Sequence, residues 1–240
     1  MHTARSSVAA LAFVLAAGAW AQAPGGQRPN QPPRQGGPLA GLGAFTPTQV
    51  VAAGEDLIVL RGNLLLRYDA SDLRQTHKVT LPDPPPPAEL RGRTIPVVGA
   101  LAANKAGVYV ALGPTLYHYA AADLKPKGQL ALAEEAAGGL TALLPSRLLA
   151  TDTTLYVLRG NSLFAFADGL KQRAKVVVTT EGARPMDMMG SMMGSNALVL
   201  VGDCLFVNRG GVLYQFDPAD LKAQGKVTLP EPPKPAAAEK

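Results

Sequence analysis

The chain has 240 residues, of which 47% are hydrophobic and only 17% charged. Its net charge of +5 comes from scattered basic residues, without the dense Lys/Arg run or interleaved aromatics of a nucleic-acid binder. A single cysteine, Cys204, excludes an internal disulfide, so stability has to come from packing.

Residues 1–23 read as a secretory signal. Met1–Ser7 carries Arg5 and no acid, Val8–Ala19 is apolar, and Ala19-Trp20-Ala21 and Ala21-Gln22-Ala23 place small residues where a signal peptidase cuts. The apolar run is 12 residues long, short of the ~20 that a membrane span needs. No Cys lies near the cleavage point, so no lipid anchor is expected, and no later segment is long enough to span a bilayer. The mature protein is therefore expected to be periplasmic or secreted, with no transmembrane segment. Its net charge is then +4, because the signal removes one Arg and no acid. Residues 24–45, rich in Pro, Gly, Gln and Arg, cannot bury apolar surface and are expected to form a disordered leader. Residues 230–240 read as a tail of the same kind, which leaves 46–229 as the folded domain. A third proline cluster, Pro84–Pro87, predicts a stiff connection within it.

Four segments of that domain are copies of one unit: Leu57–Leu73, Val108–Leu124, Leu155–Leu170 and Leu205–Leu221. Their hairpin glycines, Gly62, Gly113, Gly160 and Gly210, are separated by 51, 47 and 50 residues. In each copy a short apolar run meets a Gly-containing turn, which permits the positive φ of a tight hairpin. A second run rich in Leu and aromatics follows. Then comes Asp-x-x-Asp-Leu or a relative of it, where an Asp side chain can bond backbone two residues on. An alternating strand closes the unit, as in His77–Pro82 and Lys226–Pro230. One more apolar run precedes each hairpin, at Gln49–Ala53, Val97–Ala102, Ser146–Ala150 and Asn196–Val201. These make four strands per copy, A to D. Apolar runs broken by Gly and Pro have no helical spacing, and four-stranded units at this period are the pattern of propeller blades. The fold expected is all-β, a β-propeller of four four-stranded antiparallel blades. The alternatives are a β-sandwich, or one half of a larger ring made by two chains.

The repeat resembles that of the pyrroloquinoline-quinone-type (PQQ-like) propellers, whose blades read roughly Leu-Tyr-Val, Gly, Leu-Tyr-Ala-Leu-Asp-Ala, Thr-Gly-Lys and a Trp. The nearest stretch is Val212–Lys222, and the resemblance covers about residues 48–229. Asp220-Leu221 stands in place of Thr-Gly, and no blade has the Trp. The quinone-binding residues are not matched, so the resemblance implies a propeller scaffold without the quinone, and no cofactor is expected from it.

Two groups of residues could carry function. Arg61, Arg159 and Arg209 precede the hairpin glycines of three blades, and Leu112 takes the place in the second. On one face of a disc, three guanidinium forks could meet an anionic ligand. All five methionines after the signal, Met186, Met188, Met189, Met192 and Met193, lie within eight residues. Clustered thioethers outside the cytoplasm would suit Cu(I), which makes copper the alternative ligand. Cys204 lies in an apolar stretch and is expected to be a buried small hydrophobe. His77 and His118, the two histidines after the signal, fall in different repeats. The motifs of P-loop, Rossmann, zincin and serine-hydrolase chemistry are not found. The functional expectation is an exported, non-catalytic scaffold that binds a protein or cell-envelope component, with pairing into a homodimer open. An extracytoplasmic copper-binding protein comes second and an enzyme third.

Overall fold

The computed structural model describes residues 48–82, 98–132, 146–178, 196–209 and 211–230. The signal, the leader, Pro84–Pro87, the methionines at 186–193, Gly210 and the tail after residue 230 lie outside the described residues. Among the described residues sixteen strands form four separate antiparallel sheets, each made of four consecutive strands in sequence order. Blade 1 holds β1 (Thr48–Ala53), β2 (Asp56–Arg61), β3 (Leu64–Asp69) and β4 (Gln75–Thr80). Blade 2 holds β5 (Ala100–Asn104), β6 (Gly107–Leu112), β7 (Thr115–Tyr119) and β8 (Pro126–Ala131). Blade 3 holds β9 (Arg147–Ala150), β10 (Leu155–Arg159), β11 (Ser162–Ala167) and β12 (Lys171–Val177). Blade 4 holds β13 (Ala197–Val201), β14 (Cys204–Arg209), β15 (Val212–Phe216) and β16 (Ala223–Thr228). This is the all-β, four-bladed propeller arrangement, and the sandwich alternative falls with it. Among the described residues no helix is long and apolar enough to cross a membrane.

The repeated residues build repeated turns. Gly62, Gly113 and Gly160 open their hairpin turns at φ 61°, 58° and 51°. In these three turns the second position keeps an ordinary φ, which is why it can be Pro114, whereas Gly211 in blade 4 stands at φ 73°. The carbonyl of that second residue then anchors the end of the outer strand: Leu81 N–H donates to Asn63 O, Leu132 to Pro114 O, Val178 to Asn161 O and Leu229 to Gly211 O, all at 2.7–2.8 Å. At the other end, Asp72, Asp123 and Asp220 each accept from the backbone N–H two residues on, at 2.8–3.1 Å. The leucine that follows the Asp in blades 1, 2 and 4, and Leu170 after Gly169 in blade 3, lie in the left-handed region, with Leu73, Leu124, Leu170 and Leu221 at φ 55°, 53°, 62° and 60°. A register shift between the third and fourth strands precedes that turn in every blade.

Strand alternation divides each blade into a face toward the preceding blade and a face toward the next. Ile58, Leu60, Leu65 and Leu81 of blade 1 pack on Val108, Val110, Leu112 and Leu124 of blade 2. Tyr109, Ala111, Leu116 and Leu132 meet Leu155, Val157, Phe164 and Phe166. Tyr156, Leu158, Leu163 and Val178 meet Leu205, Val207, Tyr214 and Phe216. The core is therefore three packed junctions, and among the described residues no fourth cluster joins blade 4 to blade 1. Each fully buried Leu or Val contributes ~1.5–3 kcal/mol.

The inner strand of blade 2 departs from the sequence expectation. It was expected over Val97–Ala102 and runs instead over Ala100–Asn104. The reason is Asn104, whose Oδ1 accepts from Ala106 N and Gly107 N at 2.9 and 3.1 Å. That side chain makes a tight turn of Lys105 and Ala106, so the strand continues up to it.

The left-handed leucines give a test. Leu73 is 66% exposed, whereas Leu124 is 1% exposed in a packed junction. In dilute solution Leu73→Gly should leave stability unchanged or raise it by up to ~1 kcal/mol, because only backbone strain is removed. Leu124→Gly should cost ~2 kcal/mol, because lost burial exceeds the relieved strain. Urea melts of both variants beside the parent check the contrast.

Candidate functional site

Two of the three arginines are parts of the blade junctions. Arg159 and Arg209 are both buried. The Arg159 Nη1 donates back to the Gly113 carbonyl in the hairpin turn of blade 2, and lies 3.4 Å from Ser146 Oγ. Arg209 repeats the contact one blade later: Nη1 donates to Gly160 O and Nη2 to Asn161 Oδ1. Each guanidinium thus ties its own blade to the turn of the blade before. Burial pushes the Arg209 pKa down, but a guanidinium stays charged, so it depends on these oxygens. In blade 2 the buried Leu112 fills the same place. Arg61 is exposed at its own position. The arrangement therefore engages two of the three forks in holding blades together.

A second set of clamps runs in the opposite direction along the inner strands. Gln49 donates to Gly99 O at 2.6 Å and accepts from Leu101 N at 2.9 Å. Arg147 donates to Asn196 O at 3.0 Å from the equivalent position in blade 3. Asn104 donates to Thr151 O at 2.5 Å across the junction of blades 2 and 3. None of these pairs was legible from residue types, because each joins positions 46–52 residues apart whose facing depends on blade order.

Below that junction, on the face of the first and third turns, lies a cleft of about 340 Å³. Asn104, Tyr109, Asp152, Thr154, Asp168 and Arg173 are among the residues that line it. Tyr109, in its wall, stacks on His118 behind it, with ring centroids 4.6 Å apart. Gly107 makes room for that stack, since a Cβ there would stand 2.4 Å from His118 Nε2 and 2.3 Å from Tyr119 O. His118 is buried, and burial pulls its pKa down, with the Ala106 carbonyl opposing. Within blade 1, on its face toward blade 2, Arg67 of β3 pairs with Asp56 of β2 at 2.6 Å and lies 3.3 Å from Nδ1 of His77 of β4. Both groups are compact polar features of single junctions.

The end blades show the larger anomaly. Leu124, Leu170 and Leu221 are 1%, 8% and 2% exposed, each packed against the preceding blade, while Leu73 is 66% exposed. Leu81, Leu132 and Val178 are 1%, 4% and 2% exposed, each packed toward the following blade, while Leu229 is 38% exposed. Val50 of blade 1 and Val199, Val201 and Val227 of blade 4 are exposed as well. Cys204 belongs to the same face of blade 4. It is half-buried with its Sγ 3.0 Å from Gln215 Nε2, not sealed in a core as expected, because among the described residues no blade packs beyond it. Comparing each residue with its repeat counterparts was the signal available in the sequence for these faces.

No family model and no curated protein matches this sequence. In fold the chain is similar to the WD40 domain of Pan2 from Neurospora crassa, at 11% identity and a TM-score of 0.50, covering 76% of this chain and 50% of that one. It is also similar to BamB from Moraxella catarrhalis, at 11% identity and a TM-score of 0.48, covering 75% and 50%. The likeness is one of fold, that of a β-propeller. The chain spans about half the length of the structures it matches.

The clamps and the histidine give two expected outcomes. Arg209→Ala should cost ~2–3 kcal/mol, since it strips the donor from two oxygens at a buried junction. In dilute solution Arg61→Ala should stay within ~0.5 kcal/mol. Chemical denaturation separates the two. For His118, the folded pKa lies below the unfolded one, so the unfolded chain binds the extra proton on acidification. Its contribution is intact above about pH 6.5, the value of a free imidazole, and is lost progressively below it. Melting temperature followed from pH 7.5 to 5 should fall less steeply in His118→Phe than in the parent.

Proposed function

We propose that this chain is an exported, non-catalytic propeller scaffold, built on the PQQ-like repeat, that binds a protein or cell-envelope component. The reading is carried by one observation. Leu73 on blade 1 and Leu229 on blade 4 are exposed at positions that every internal junction buries. A sheet face with the residues of a packed junction and no neighbour is an interaction surface, because exposed contiguous apolar patches mark contact sites. The secretory pattern of residues 1–23 supports an extracytoplasmic setting. The polar side chains support a scaffold role, since Gln49, Arg147, Arg159 and Arg209 all serve to fix one blade on the next.

Photocrosslinkers placed at Leu73 and Val201 of the secreted protein test the reading. A protein adduct should form from both positions, and a crosslinker at Lys105, on an exposed turn away from these faces, should give none. Equal labelling from all three positions, or none from any, would overturn the assignment of the end faces as the binding surface.

A further inference from the structure

We propose that the partner of the end faces is a second copy of this chain, and that two copies join head to tail into a closed ring of eight blades. This rests on the protein-binding reading and names its partner. In the ring, the face of blade 1 that lacks a predecessor packs on the face of blade 4 of the other copy that lacks a successor, and the contact occurs twice.

Four observations carry this. First, the two end faces have the residues of the two sides of one junction. Leu57, Val59, Leu66, Tyr68 and Leu73 stand where blade 4 uses Leu205, Val207, Tyr214, Phe216 and Leu221 to pack on blade 3. On the other side, Val227 and Leu229 stand where blade 3 uses Val176 and Val178 to receive blade 4. A blade 4 to blade 1 contact thus continues an interface the chain already makes three times.

Second, the polar pattern fits. The junction of blades 2 and 3 combines Arg159 with the small Ala100 at the inner-strand clamp position. The proposed junction combines Arg61 with Ala197 at the same two positions. Arg61 would then meet the hairpin of the preceding blade, as Arg159 and Arg209 do. Third, the alignment with the Pan2 propeller takes in 76% of this chain and 50% of that one, as one part of a larger ring would. Fourth, one copy of any other single-faced partner would cover one end and leave the other bare. A second copy covers both, and a head-to-tail contact that closes after two copies leaves no open face.

The test is the association state of the mature protein and two variants, by sedimentation equilibrium. Leu73→Glu and Val201→Glu both change exposed side chains, so each variant keeps the fold, which thermal melts verify. The parent should be a dimer. Each variant alone should dissociate about 100-fold more readily or worse, because each places a charge in an apolar junction. Mixing the two variants should give a heterodimer tighter than either variant alone and weaker than the parent, since the clean blade 4 of the Leu73→Glu copy meets the clean blade 1 of the Val201→Glu copy at one junction while both charges fall in the other. That complementation is peculiar to a head-to-tail contact. Cys204, the chain's sole thiol, gives an independent readout. Of its junction counterparts, Gly107 and Thr154 are buried and Asp56 is half-buried, so its reaction with Ellman's reagent should slow as the parent dimerises and not in either variant. A parent that stays monomeric, or a dimer that survives both substitutions, overturns the proposal. If that monomer still crosslinks another protein from Leu73 and Val201, the binding-surface reading stands and only the second copy is wrong. If it crosslinks nothing, both fall.

Discussion

A single blade of this protein has too little to bury alone. Its four strands carry Leu, Val, Ala and Tyr on both faces, so the sheet needs a neighbour on each side. An isolated small sheet is marginal in water, and repeat units of this kind gain stability by stacking, with each neighbour interface adding its own increment. The three junctions of the chain are those increments. The turns serve the stacking. The left-handed Leu124, Leu170 and Leu221 put strain into the backbone and place a side chain against the preceding blade, where its burial exceeds the strain. Leu73 has the same strain with nothing to offset it within the described chain.

Apolar faces alone would let neighbouring blades slide or rotate, because hydrophobic burial is not directional. The clamps supply direction. Arg159 and Arg209 reach backward to the hairpin turns, and Gln49 and Arg147 reach forward along the inner strands, so each of these contacts fixes one end of a junction. A lysine could not replace these arginines, since one ammonium lacks the fork that spans Gly160 O and Asn161 Oδ1 together. Leu112 shows the other solution at the same position. It avoids the desolvation of a charge and leaves Gln49 to set the register at that junction.

Much of this was legible in the sequence because it is local. The period of the hairpin glycines, the Asp-Leu turns and the alternation of the strands each act within a few residues, and together they imply four blades of four strands. What failed to show was set between repeats. The inner strand of blade 2 shifted because Asn104 closes the turn with its own side chain, an event that a pattern of apolar residues does not encode. Arg159 and Arg209 looked like surface residues beside a turn. They are buried because the preceding blade comes to them, which depends on order in space. Cys204 looked like core because its strand is apolar, but burial belongs to the neighbour, and among the described residues blade 4 has none beyond it.

The outer edges explain why association, if confined to the end faces, stays finite. The fourth strand of each blade faces solvent and carries Lys78, Lys127, Lys175 and Lys226, charges that discourage strand addition along an edge. The surfaces open to a partner are then the two blade faces, and these stack rather than pair strand to strand. Two separate copies joined by one junction must bear the full cost of lost translational and rotational freedom, ~4–15 kcal/mol. The second junction of a closed ring forms between ends already held together, so that cost is incurred once while the burial is gained twice. A face that holds two chains only weakly through one junction can therefore hold them firmly as a ring, and the same modest face leaves little driving force for an open chain of blades to keep growing.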